Sequence, residues 1–160
     1  MLAIDLFTQN KPTTLRKLKY RVIKKKKTYI HKKIKFIILA DLLKDMQEIL
    51  FSIDRKGKCF KLSSEILAQY GNTELLTAMC IDPFYKEPTP FLHSVIISKN
   101  NKNKEFILDA TFNVAIEKET YLKLLQANII STISREDFIN ITNMVSEQNL
   151  GKLIALQEYF

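Results

Sequence analysis

Two alternating runs separated by a short polar stretch constrain the fold of this chain more than any other feature. In FLHSVIIS (91–98) alternation places Phe91, His93, Val95 and Ile97 on one face. EFILDATF (105–112) is a second predicted strand, with Ile107 and Asp109 on one face, and KNNKNK (99–104) separates the two runs. A period of two is typical of a strand with one buried face. Two such strands joined by a polar turn predict an antiparallel hairpin.

The register of this hairpin decides which polar side chains meet. If the turn is centred on Asn101, His93 lies directly opposite Asp109, and their Cβ atoms are about 4.5–5.5 Å apart. A carboxylate at that distance accepts a hydrogen bond from one imidazole nitrogen and leaves the other nitrogen free to face a nucleophile. A slip of one residue would put the two side chains on opposite faces.

A candidate nucleophile stands at the start of a predicted helix. In GKCFKLSSEILAQYG (57–71), the apolar residues Leu62, Ile66 and Leu67 recur at helical spacing after Cys59, and a glycine follows at the C-terminal cap position. The N–H groups at a helix N-terminus favour a thiolate and also offer donors to an oxyanion. The pattern therefore predicts Cys59 as nucleophile, with a histidine base and an orienting aspartate on the hairpin.

The order of these motifs resembles a known family. GKC at a helix start, a histidine on FLHSVIIS and the strand end LDATF are similar to the papain-like core of transglutaminase-like cysteine enzymes, over about residues 55–113. Ser94 stands where members often carry an aromatic residue. The resemblance implies an α+β fold, with the cysteine-bearing helix packed on a small antiparallel sheet between N- and C-terminal helices.

The same resemblance implies the chemistry. It indicates a thiol-dependent hydrolase or acyltransferase acting on an amide or peptide bond of a protein or peptide substrate, as a protease, a deamidase or a transglutaminase-like enzyme. In that role Cys59 attacks the carbonyl, His93 moves the proton and Asp109 orients His93. No cofactor and no metal are predicted.

Each member of the triad also has a structural interpretation. Cys59 can be a small packing residue, His93 a core histidine, and Asp109 the first residue of a turn. Cys80, in the apolar run LLTAMCI, is a second candidate nucleophile without a helix N-terminus beside it. A zinc site built from these four residues lacks the closely spaced ligand pairs that are typical of zinc sites.

The positive charge of the chain is concentrated at its N-terminus. The net charge is +8, yet residues 1–40 hold 12 basic residues and one acid, whereas residues 41–160 hold 13 basic and 16 acidic residues. This asymmetry predicts a basic N-terminal extension (1–33) that binds an anionic partner, either nucleic acid, a membrane surface or an acidic protein, followed by one domain (34–160). One alternative is a non-catalytic binding protein that uses this extension. The other is a charged, solvent-exposed helix face without a binding role. The candidate binding residues are Arg16, Lys17, Lys19, Arg21, Lys24, Lys25, Lys26, Lys27, Lys32 and Lys33.

The remaining segments give coarser predictions. Periodicity predicts a helix in the basic segment from about Thr14, a long helix over 34–53, and helices from about Ala115 onward with Ser134 as an N-cap. MLAIDLFTQN has no basic region typical of a secretory signal, and no apolar stretch is long enough to span a bilayer. The sequence therefore predicts a cytoplasmic protein without a transmembrane segment.

Overall fold

The structure is a computed structural model that describes residues 21–23, 28–31, 34–52, 55, 57–81, 89–142 and 152–153. These residues form an α+β fold, as predicted. The strands are β1 (Arg21–Ile23), β2 (Thr28–His31), β3 (Ile34–Ile38), β4 (Tyr70–Gly71), β5 (Thr73–Ile81), β6 (Pro90–Lys99), β7 (Glu105–Asp109), β8 (Val114–Glu117), β9 (Asn128–Ser134) and β10 (Lys152–Leu153). The α-helices are α1 (Leu39–Leu42), α2 (Gln47–Phe51), α3 (Cys59–Gln69), α4 (Lys118–Leu124) and α5 (Arg135–Thr142), and a 3-10 turn covers Lys44–Met46. No helix in these ranges is long and apolar enough to cross a membrane.

One antiparallel sheet organises the described residues. Its eight strands follow the order β1-β2-β3-β8-β7-β6-β5-β9, and β4 forms a separate parallel pair with β10. The longest pairing joins β5 to β6, from Thr73 opposite Ser98 to Ile81 opposite Pro90. The successive residues Ile96 and Ile97 of β6 are both buried, so this central strand is covered on both faces.

The β6–β7 hairpin forms as predicted, but its register is shifted by two residues. Ile97 lies opposite Ile107, so the predicted centre of the turn at Asn101 is wrong. The turn is organised by Asn100, whose side-chain oxygen accepts the backbone N–H groups of Lys102 (3.0 Å) and Lys104 (2.9 Å). A shift by an even number of residues keeps every side chain on its predicted face.

The single helix predicted over 34–53 is wrong. Its first residues, Ile34–Ile38, form β3 and pair with β8, and only short helical segments follow. Asn113 explains the break, because it binds the first N–H groups of α1. Its carbonyl accepts from Leu39 (3.0 Å) and its side-chain oxygen from Ala40 (2.8 Å). The turn between β7 and β8 therefore supplies hydrogen-bond partners that periodicity alone does not reveal.

The helix predicted in the basic N-terminal segment is also wrong where the structure describes it. Arg21–Ile23 and Thr28–His31 are strands that extend the sheet beyond β3. Among the candidate anion-binding residues, only Arg21 falls within the described residues. The boundary at 33/34 and the anionic partner stay predictions.

Strands interrupt the helices predicted from Ala115 onward. β8 and β9 frame α4, and β9 pairs with β5 because its isoleucines and threonine favour an extended backbone. The predicted N-cap is confirmed, since the Ser134 hydroxyl accepts the backbone N–H of Asp137 at 3.1 Å. Arg135 then fastens α5 to the end of α3 by donating to the carbonyls of Leu67 (2.9 Å) and Ala68 (3.0 Å).

Candidate active site

Cys59 is the first residue of α3 and is partly exposed. Gly57 precedes it at a φ of 75°, a left-handed conformation that glycine adopts without strain. The apolar side of α3, which includes Leu62 and Ile66, is buried in the core. These contacts fix the helix start and place the thiol at the edge of the buried region.

Hydrogen bonds dock α3 beside the strand that carries the histidine. The buried hydroxyl of Ser63, one turn after Cys59, donates to the carbonyl of Ser94 at 2.9 Å. The pairing of β7 with β6 ends at Ile96, so β7 does not occupy the edge of β6 at Ser94. The Ser94 N–H is directed at the Cys59 thiol, and the helix thus takes the place of a neighbouring strand.

The side chains of His93 and Asp109 are in contact, as the sequence predicts, but the strand register differs from the predicted one. The histidine Nε2 lies 2.7 Å from the aspartate Oδ2, with 4% and 0% of the two side chains exposed. In the observed register they are diagonal rather than opposite neighbours, and side chains of this length span that separation. The predicted hydrogen-bonded contact between the two side chains is confirmed.

Asp109 ends β7 and accepts two further hydrogen bonds. The hydroxyl of Tyr121 lies 2.5 Å from Oδ2, and the backbone N–H of Phe112 lies 3.0 Å from Oδ1. Burial alone would raise the pKa of Asp109. The positive charge of His93 and the three hydrogen bonds outweigh burial and hold this pKa below its usual range.

The His93 ring is packed between aromatic residues and ion-paired. Its centroid lies 5.5 Å from the ring of Phe91 and 5.4 Å from that of Phe112. Burial would lower the pKa of His93, but the charge and hydrogen bond of Asp109, together with Cys59, raise it to about 10. The imidazole is therefore held as an imidazolium at neutral pH.

The imidazolium acts directly on the thiol. A hydrogen bond with His93 is the largest cause that lowers the pKa of Cys59; partial burial opposes it, and the N–H groups of Ser94 and Phe60 reinforce it. Because Nε2 is engaged by Asp109, Nδ1 is the ring nitrogen that remains for the sulfur. The arrangement favours a thiolate–imidazolium pair.

Cys80 occupies the same face of the sheet without these partners. It lies opposite Phe91 on β5, two pairs beyond Ala78, which faces His93, and it is 1% exposed. Burial, followed by the negative charges of Asp109 and Cys59, raises the pKa of Cys80 to about 12. Of the two cysteines, Cys59 is therefore the one whose surroundings lower the pKa and favour the thiolate.

Two residues of this region were not predicted. Tyr121 lies on α4, and an apolar helical pattern does not reveal which acceptor a buried hydroxyl will find. Arg55 is 4% exposed, donates from Nη1 to the carbonyl of Leu50, and lies within the field of Asp109. Burial lowers the pKa of Arg55, and the attraction of that carboxylate opposes the shift. The sequence contains no signal for this placement.

In the part of the chain that the structure describes, no group of three or more His, Cys, Asp or Glu side chains is arranged to hold a metal ion, so the four residues considered above for zinc do not form one. Comparison of the whole chain with protein-family models, curated proteins and solved structures finds no match.

Proposed function

We propose that this protein is a thiol-dependent hydrolase or acyltransferase that acts on amide or peptide bonds through Cys59, His93 and Asp109, in a core similar to that of papain-like and transglutaminase-like enzymes. The observation that carries the proposal is the buried 2.7 Å bond between His93 and Asp109 beside a thiol whose pKa is lowered by the same imidazole. These two contacts support the proposal, because nucleophilic catalysis by a thiol needs an adjacent base that a third group orients.

The first half of the reaction forms an acyl-enzyme. The Cys59 thiolate attacks the carbonyl carbon, and the carbonyl electron pair moves to oxygen, where N–H groups at the start of α3 are available as donors. His93 gives its proton from Nδ1 to the departing amine as the carbon–nitrogen bond breaks. Asp109 remains hydrogen-bonded to Nε2 in both steps, so the imidazole ring retains its orientation.

The second half releases the acyl group. A water molecule or an amine attacks the thioester, His93 accepts the proton of the attacking group, and the thiolate leaves. Water gives hydrolysis or deamidation, and an amine gives acyl transfer. The same three residues serve either outcome.

An activity-based probe tests the proposal. A peptide vinyl sulfone should form one covalent adduct per chain, located at Cys59 by peptide mass mapping. Cys59→Ser should fold normally but form no adduct at that position and lose amide-bond cleavage, because the hydroxyl is a much weaker nucleophile. Adduct formation at Cys80 instead, or unchanged cleavage in Cys59→Ser, would contradict the proposal.

The charge asymmetry favours a second candidate function. The 12 basic residues among the first 40 would suit binding to nucleic acid, an anionic membrane or an acidic protein. Removal of residues 1–33 should then leave a folded domain that no longer shows salt-dependent binding to single-stranded RNA, duplex DNA or anionic vesicles. Loss of cooperative unfolding would instead show that the segment, whose β2 pairs with β3, is structural.

A further inference from the structure

One oxygen of the buried carboxylate serves two donors. Oδ2 of Asp109 lies 2.7 Å from His93 Nε2 and 2.5 Å from the Tyr121 hydroxyl, and the aspartate and tyrosine are 0% and 1% exposed. We propose that Tyr121 is a positioning residue of the thiol site, which fixes the carboxylate and draws part of its charge away from the imidazole. This inference rests on the function proposed above.

The geometry explains the positioning. Tyr121 holds Oδ2 from α4, while the backbone N–H of Phe112 holds Oδ1 at 3.0 Å. Rotation of the carboxylate about its Cβ–Cγ bond would break one of these bonds, and the carboxylate is fully buried. The oxygen that His93 needs is therefore kept in place by groups on two other segments.

The electrostatic effect follows from what else faces the carboxylate. Arg55 lies within its field as a cation, and the Cys80 thiol interacts with it as a group that can become negative. The Cys59 thiol faces His93 and lies within the field of Tyr121. Burial and Asp109 raise the pKa of Tyr121 well above its usual value, so the hydroxyl remains a donor over the working pH range.

The sign of the effect can be worked out. The hydrogen bond from Tyr121 stabilises the carboxylate most when the imidazole is neutral, since the negative charge is then least balanced. Tyr121 therefore favours the neutral form of His93. This matters because the pKa of His93 is raised to about 10, and a group that holds its proton too tightly is a poor acid for a leaving amine.

The test is a titration of the imidazole signals by NMR in the full chain. The chain has two histidines, so His31→Gln leaves His93 as the only imidazole to follow. In Tyr121→Phe, the midpoint of the His93 titration should move to higher pH, at a proton concentration at least about threefold lower. This is the effect expected when part of a charge-assisted hydrogen bond is lost. A titration that is unchanged, or that moves to lower pH, would overturn the inference.

Two further variants keep the test decisive. Tyr70→Phe removes a buried hydroxyl at the other end of α3 and should leave the His93 titration unchanged. If Tyr121→Phe does not fold, site-specific 3-fluorotyrosine at position 121, a stronger donor of the same shape, should move the loss of the imidazolium to lower pH. An unmoved titration with a reactive Cys59 would remove only the role of Tyr121, whereas an unreactive wild-type Cys59 would overturn the proposed function itself.

Discussion

The Asp109 carboxylate affects the two cysteines in opposite ways. Burial raises the pKa of Cys80 most, and Asp109 raises it further and directly, through the repulsion between two negative charges. At Cys59 it acts through His93, which it holds as a cation against the sulfur. One buried charge thus suppresses one thiolate and supports the other.

The position of the imidazole decides the chemistry of each thiol. Both sulfurs are removed from bulk water to some extent, and burial alone would raise both pKa values. Only Cys59, at the start of α3, has a histidine nitrogen and backbone N–H groups directed at it. Cys80 lies on a central strand whose N–H groups are used in the sheet.

The largest expected effect is selective alkylation. At pH 7 a thiol with a pKa near 12 is ionised to about one part in 100,000, whereas an ordinary cysteine is ionised to about three parts in 100. Iodoacetamide should therefore label Cys59 more than about a thousandfold faster than Cys80, as measured by mass spectrometry of the two peptides. The rate should fall in acid, with a midpoint below the usual value for cysteine.

His93→Ala sharpens this result. It should raise the midpoint for Cys59 and slow its labelling at neutral pH, because the thiolate loses its cationic partner, while Cys80 remains as slow as before. Equal and slow labelling of both cysteines, unaltered in His93→Ala, would mean that Cys59 is only a packing residue.

The next effect concerns stability. Asp109→Ala leaves the donors of His93, Tyr121 and Phe112 without their acceptor in a buried site. Breaking a buried ion pair in this way costs about 3–5 kcal/mol of the free energy of unfolding, measurable by urea denaturation. Glu105→Ala, which removes a partly exposed carboxylate from Lys118, should cost less than about 1 kcal/mol and is the matched control. Similar losses in the two variants would contradict the buried ion pair.

A smaller effect should appear in the pH dependence of stability. The folded-state pKa of His93 is raised to about 10, so its stabilisation is complete below the unfolded value of about 6.5 and is lost as the pH rises through 10. In the Cys59→Ser background, the free energy of unfolding should therefore fall between pH 6.5 and 8 by up to about 1.4 kcal/mol per pH unit. Adding His93→Ala should remove this slope, and an equal slope with and without His93 would contradict the assigned shift.

The contact between His93 and Asp109 was predicted correctly from the sequence although the predicted hairpin register was wrong. The hairpin was misplaced by two residues because Asn100 binds Lys102 and Lys104, a turn that cannot be read from KNNKNK. The predicted contact was still correct, because a register shift by an even number of residues keeps His93 and Asp109 on one face.

The predictions that failed depend on distant partners. The helix predicted over 34–53 was lost because β8 offers an edge to Ile34–Ile38 and Asn113 caps the next segment. Tyr121 was missed because its acceptor lies twelve residues away on another element. Local periodicity identifies which residues are apolar, but it does not tell which polar groups tertiary packing will bring together.

The smallest expected effect separates two adjacent serines on α3. The Ser63 hydroxyl donates to the carbonyl of Ser94, whereas the Ser64 hydroxyl, equally buried, has no hydrogen-bond partner among the described residues. Ser63→Ala should cost about 1–2 kcal/mol because it leaves a buried carbonyl unpaired. It should also slow the alkylation of Cys59 a few-fold, because the helix start is no longer fixed beside His93. Ser64→Ala should leave both quantities unchanged or slightly raise the stability, since it removes a polar group that makes no bond. If the two variants behave alike, the Ser63–Ser94 bond does not hold the nucleophile in place, and the contrast between the two cysteines depends on the core contacts of α3 alone.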